Sequence, residues 1–233
     1  MSTGAPFRGV VAVDGPSGSG KSTVCRRVAR ALGLRYLDTG SMYRAVTWAA
    51  LDRGVDLTDT AAVAALARAV RLDLRTDPDA PGISVDDVDV TAQIRETRIS
   101  EAVSEVATNV EVRAELVRQQ RAAVAEGAVV AEGRDITTVV APDADVRILL
   151  TASEAARLAR RAREMHGSDD DAALAATHAQ IVTRDARDAT VVDFHTAADG
   201  VIEIDTSTLT PEAVVDAVLH LIATRAETAE ARP

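Results

Sequence analysis

The sequence predicts an α/β fold: a parallel sheet flanked by helices, with a small antiparallel insert and a helical lid. Three observations predict it. Short apolar runs recur at residues 10–13, 129–131, 146–150 and 201–204, with helical segments between them. Strands that alternate with helices in this way form parallel sheets covered on both faces. Residues 66–102 break that rhythm. Residues 70–74 and 83–85 alternate apolar and polar around a turn-rich stretch at 77–82, and 88–90 adds a third short alternation. That is the pattern of antiparallel strands with one buried face.

The elements follow in order. The run 10–13 ends at Asp14 and Gly15 and reads as a buried strand. Helical spacing over 22–32 puts Val24, Val28, Ala31 and Leu32 on one side, and Gly33 closes the helix. A second short strand is expected at 34–38 and a second helix at 39–54. Beyond the insert, helices are expected at 103–126, 153–165, 172–184 and 211–224, and residues 226–233 read as a frayed tail.

Composition narrows the function. The chain has 233 residues, 47% of them apolar, enough for one sizeable core with a smaller lobe. The formal net charge is −10, so a broad surface for polymeric nucleic acid is not expected. An anionic ligand would need its Arg and Lys partners gathered in one cleft. No apolar run is long enough to span a membrane, and residues 1–9 do not read as a secretory signal. Cys25 is alone and has no disulfide partner, so the cytoplasm is the expected compartment. His166, His178, His195 and His220 show no metal-ligand spacing.

Gly15, Pro16, Ser17, Gly18, Ser19, Gly20, Lys21 and Ser22 satisfy G-x-x-x-x-G-K-[ST], with an apolar strand before and an amphipathic helix after. The glycines let successive N–H groups point at one phosphate, and the following helix adds its positive end. Lys21 can reach the terminal phosphates, and the Ser22 hydroxyl can ligate Mg²⁺. An ATP site over Gly15 to Thr23 on a P-loop NTPase-type sheet is therefore expected. No N-K-x-D motif is present, which argues against a GTPase, and no long apolar strand ending in an acidic pair suggests a motor ATPase. The choice falls to an acceptor site. Asp38, Thr39, Gly40, Ser41, Met42, Tyr43 and Arg44 follow the second strand, and Glu132, Gly133, Arg134 and Asp135 follow another. Carboxyl ends of parallel strands share one edge, so both sets should meet there. Arg44 and Arg134 suit a phosphate monoester.

These residues resemble the bacterial cytidylate kinases, within the nucleoside monophosphate kinases, over nearly the whole chain. The resemblance lies in residues 14–22, 37–44 and 133–135, in Ile94 and Arg95, Ser104, Arg113, Gln120 and Arg121, Arg184 and Asp185, and in the insert with Asp89 to Thr91. It implies phosphorylation of CMP, with dCMP as a second acceptor, by ATP with Mg²⁺. It implies that Thr39, Arg44 and Arg134 hold the acceptor phosphate, that Tyr43, Arg184 and Asp188 contact the ribose, and that Ser104, Arg113 and Asp135 read the cytosine edge. The expected organisation is a core of 1–65, 104–151 and 186–233, an acceptor-side insert at 66–103, and a lid at 152–185, acting as a monomer. Two positions depart from the family pattern: Thr137 replaces a glycine, and Val191 replaces an arginine beyond Asp188.

Arg157, Arg160 and Arg161 lie at helical spacings and are expected on one side of the lid helix, where they would neutralise charge on the transferring group. Residues 166–171 form its polar tip. Asp14 and Asp135 are candidate organisers of Mg²⁺. The residues alone leave two alternatives open: a kinase for another small phosphorylated acceptor, and a nucleotide sensor without turnover.

Overall fold

The computed structural model describes residues 7–230, with the side chains of 179–184 and 226–230 excepted. Its main sheet has β1 (Val10–Asp14) at the centre. β1 pairs in parallel with β6 (Val129–Gly133) on one side and with β7 (Val146–Thr151) on the other. β2 (Arg35–Asp38) extends the sheet beyond β6, and β8 (Ile202–Asp205) extends it beyond β7. The register sets Asp14 beside Gly133 and Asp38 beside Glu132. All these strands therefore end at one edge, where ligand crevices form in parallel sheets.

Helices cover both faces. On one, α1 (Lys21–Leu32) buries Val24, Cys25 and Val28 against Val214, Val218 and Ile222 of α8 (Pro211–Glu230). α8 runs six residues past its expected end at 224 and through most of the stretch that reads as a tail; residues 231–233 lie outside the described residues. The other face packs on α2 (Thr39–Asp52) and the helices after the insert.

The antiparallel insert forms as expected: β3 (Leu72–Arg75), β4 (Gly82–Val85) and β5 (Val88–Asp89) pair in that order. Asp86 and Asp87 take φ of 46° and 72°, as a two-residue hairpin turn requires. α3 (Thr60–Ala69) precedes the insert and was not foreseen. Its alanine-rich sequence carries little periodic contrast, and its start is set by Asp59, which accepts from Ala62 N at 2.9 Å.

The helix expected at 103–126 is two helices, α4 (Thr97–Ala107) and α5 (Val110–Ala125). Asn109 makes the break. Its side-chain oxygen accepts from the amides of Glu111 (3.1 Å) and Val112 (3.3 Å), and its amide donates to the Thr60 carbonyl at 2.8 Å. Apolar spacing runs through such a break unnoticed. The segment expected to form the lid is a pair of packed helices, α6 (Glu154–His166) and α7 (Asp171–Asp188). α7 continues four residues past its expected end at 184, which puts Asp185 and Asp188 on one helix face.

Thr137 sits in a π-helical turn, Ile136–Val140, directly after β6. Asp14 accepts there from the amides of Ile136 and Thr137, each at 2.8 Å, and from the Thr137 hydroxyl at 2.6 Å. Among the described residues, only Asp86, Asp87 and Ala128 are non-glycines with positive φ. The threonine is therefore unstrained and gives a buried carboxylate its third donor. Thr137→Gly should lower stability by about 1–2 kcal/mol in urea unfolding, since a buried hydrogen bond to a charged group is lost. A more stable variant would show that glycine is the residue this turn requires.

Candidate active site

The phosphate loop joins β1 to α1. Gly15 has φ of 148°, and a Cβ there would lie 2.1 Å from the Leu150 carbonyl oxygen. Gly18 has φ of 78°, and a Cβ there would lie 2.8 Å from the Arg157 carbonyl oxygen. Any side chain would be strained at both positions, and the lid helix sits directly on the loop. Lys21 bends back to donate to the Pro16 carbonyl at 2.8 Å. A cavity of about 670 Å³ opens over Ser17 to Thr23 and is bounded by Arg134, Arg160 and Arg161. Gly15 and Pro16 lie behind its wall and shape the turn. Burial, with repulsion from Arg134, lowers the Lys21 pKa to about 8.

Glu132, at the end of β6, is buried and accepts from the Tyr36 hydroxyl. Ser22 also hydrogen-bonds it, and burial followed by the nearby Asp38 pushes its pKa up. Sequence reasoning named Asp14 and Asp135 as organisers of a metal. Both are committed elsewhere: Asp14 to the turn after β6, and Asp135 to Arg113 at 2.5 Å. Burial raises Asp14 to about 6, and burial also raises Asp135 against the opposing pull of Arg113. Glu132 is the acid beside Ser22. The signal was its place at a strand end flanking β1.

On the acceptor side, Thr39 begins α2 and donates to the Glu132 carbonyl at 2.8 Å. Asp38 caps α2 by accepting from Ser41 N at 3.1 Å. Burial opposes the charge on Asp38, but Arg44 and Arg95 outweigh it and hold its pKa down. Arg95 reaches Asp38 at 3.0 Å. A second cavity, about 800 Å³, continues past Asp38 between Arg44, Arg95 and Arg161 toward the insert. Arg95 entered the sequence reading only as part of a motif, and the fold brings it to the site.

Arg134 pairs with Asp185 at 2.8 Å and with Asp188 at 2.9 Å, and its guanidinium stacks 4.3 Å from the centre of the Phe194 ring. Phe194, for which the sequence suggested no role, is thus a buried platform for that arginine. A small cavity of about 60 Å³ gathers Thr39, Tyr43, Arg113, Arg134, Asp188 and Val191. Ser104 and Asp135 do not line it. Ser104 donates to Asp188 at 3.2 Å, and Asp135 braces Arg113, whose guanidinium lies 5.9 Å from the Tyr43 ring centre. The side chain of Arg184 lies outside the described residues.

The three arginines of α6 take different partners. Arg157 is buried and donates to the Ser17 carbonyl at 3.0 Å and to Asp185. Arg160 turns toward β8 and donates to the Thr206 hydroxyl at 2.9 Å. Thr206 in turn donates to the Ser19 carbonyl at 3.0 Å. Arg161 pairs with Glu164 at 2.8 Å and borders both large cavities. Three- and four-residue spacings keep them on the side of α6 that faces both the loop and the end of β8.

Lys21 must carry its proton to attract a polyphosphate. With the free-chain pKa lowered to about 8, that proton is lost as pH rises through 8. Triphosphate affinity by calorimetry should therefore fall roughly eightfold from pH 7.5 to 9. A flat profile would contradict the desolvated lysine.

A sequence model described as Cytidylate kinase matches residues 11–224. A cytidylate kinase of Nocardia farcinica is 46% identical and covers 100% of both chains. Another, of Streptomyces avermitilis, is 46% identical over 91% of this chain and 92% of its own. A bifunctional pantoate ligase/cytidylate kinase of Synechococcus elongatus is 42% identical over 92% of this chain, which matches 42% of that longer protein. With its phosphate loop, its arginine-lined strand ends and this match over most of its length, the chain belongs to the cytidylate kinase family.

Proposed function

We propose that the chain transfers the γ-phosphoryl group of ATP to CMP, and to dCMP as a second acceptor. The observation that carries this reading is the convergence of Lys21, Arg134 and Arg161 around one cleft, with Arg44 and Arg95 on its acceptor side. In a chain of net charge −10, a cleft that gathers so many cations suits an anionic ligand.

The chemistry asks for alignment and charge neutralisation. A phosphate oxygen of CMP attacks the γ-phosphorus. A new P–O bond forms as the β–γ bridging bond breaks, and CDP and ADP leave. The acceptor phosphate is ionised near neutral pH, so no side chain has to remove a proton. The amides of Ser17 to Ser22 and the Lys21 ammonium hold the triphosphate. Thr39, Arg44 and Arg134 hold the acceptor phosphate, with Arg95 as a further partner. Arg157, Arg160 and Arg161 come from the lid side, where displaced water strengthens their charge.

The Ser22 hydroxyl and the Glu132 carboxylate are hard oxygen donors beside the loop and fit Mg²⁺. Among the described residues no group of three or more His, Cys, Asp or Glu could hold a metal alone, so phosphate oxygens and water complete the shell. The bound ion supplies neutralisation of the triphosphate charge.

Base choice falls to the Arg113–Asp135 pair behind Tyr43. Asp135 accepts from the exocyclic amine of cytosine and Arg113 donates to a ring acceptor. Uracil would set a carbonyl against a buried carboxylate, at a cost of about 1–3 kcal/mol.

The test is coupled ADP release with CMP, dCMP, UMP and AMP, run on the native chain and on Val191→Arg. CMP and dCMP should be turned over at least tenfold more efficiently than UMP or AMP. Val191 lines the small acceptor-side cavity, so the added arginine should lower KM for CMP several-fold while leaving kcat within about twofold. Activity confined to a different acceptor would replace CMP in this reading.

A further inference from the structure

Asp185 does more than end a helix. It is buried, and each of its oxygens is held by groups of the nucleotide site. Oδ1 accepts from the Ser17 amide of the phosphate loop at 3.3 Å and pairs with Arg134 at 2.8 Å. Oδ2 pairs with Arg157. Arg157 also donates to the Ser17 carbonyl, so Asp185 and Arg157 bracket one loop residue from the amide side and the carbonyl side.

This set of donors suits a terminal phosphoryl: a loop amide, a guanidinium from the lid, and the strand-end guanidinium of Arg134, which lies between the two phosphates and also serves the acceptor. A carboxylate and a phosphoryl carry negative oxygens of similar reach, and both cannot occupy the space between the Ser17 amide and these guanidinium groups. Arg134 cannot simply turn aside, because its guanidinium is fixed by Asp188 and by the Phe194 ring. Asp185 can leave by turning about its own side-chain torsions, while Asp188 on the same helix keeps its hold on Arg134.

We propose that Asp185 occupies the cage built for the γ-phosphoryl and is displaced by it, so that this residue sets how strongly the chain prefers ATP over ADP. The proposal builds on the phosphate-loop reading and deepens it. A triphosphate must break two buried ion pairs before it can use the arginines. A diphosphate fills the loop below the cage and leaves Asp185 where it is. Part of the binding energy of ATP is thereby used to release the Asp185 carboxylate. The product ADP does not trigger that release.

The experiment is calorimetric titration of the native chain and of Asp185→Asn with ADP and with a non-hydrolysable β,γ-imido triphosphate, without acceptor. Asp185→Asn should bind the triphosphate at least fivefold tighter, with ADP changed by less than twofold. Equal shifts for both ligands, or weaker triphosphate binding, would overturn the proposal. Absence of ADP binding to the native chain would instead overturn the phosphate-loop reading. A second measurement needs no variant. Side-chain NMR of Arg134 and Arg157 in the native chain should report new partners on adding the triphosphate and unchanged ones on adding ADP. Unchanged signals with both ligands would also contradict displacement.

Discussion

A buried cation must have an anion, and the rest of this structure follows from that constraint. Taking a guanidinium or ammonium out of water costs several kcal/mol unless a charge of opposite sign is fixed beside it. Here cations gather near the carboxyl ends of β1, β2 and β6; Lys21 donates to the Pro16 carbonyl, and several of the arginines have a protein carboxylate as partner. Arg134 has Asp185 and Asp188, Arg157 has Asp185, Arg95 has Asp38, and Arg113 has Asp135. Arg44 lies beside Asp38 and, with Arg95, holds that carboxyl's pKa down against burial. The site is thus neutralised from within, and a phosphate that enters exchanges with carboxylates as well as with water.

The sheet makes this possible because parallel pairing in register brings distant sequence segments to one edge. Asp38 and Glu132 are neighbours across β2 and β6, and Asp14 and Gly133 across β1 and β6. Each strand end then hands its next residue to a different task. After β1 the chain curls into the phosphate loop. After β2 it starts α2 with Asp38 and Thr39. After β6 it enters the π-helical turn that clamps Asp14. Thr137 fits this plan. Its hydroxyl feeds Asp14, which makes the departure from glycine a local exchange of a small residue for an added donor.

Much of this was legible in the sequence. Apolar runs and the loop motif fixed the order of strands and helices, and short-range alternation located the insert. The break at Asn109 and the helix at Thr60–Ala69 were not legible, for two physical reasons. A cap made by one side chain leaves no trace in periodicity, and alanine contributes packing without contrast. In the site, the sequence named Glu132 and Arg95 only within motifs and gave Phe194 no part, because their partners are set by tertiary proximity. Glu132, Arg95 and Phe194 became part of the site through β-register, a 3-10 turn and a stacked ring. For the arginines of α6 the spacing told their common side but not their partners: Arg157 reaches the loop and Arg160 reaches Thr206 at the end of β8.

Two phosphates held in line by one contiguous arrangement of positive groups is the centre of this account. It is tested most directly by the affinity of a bisubstrate compound that joins adenosine to cytidine through a pentaphosphate. If the loop and the arginine-lined acceptor side form one continuous site, this compound should bind at least a hundredfold tighter than either the ATP analogue or CMP alone. Binding no tighter than that of the ATP analogue would mean that the two halves do not face each other, and would contradict it.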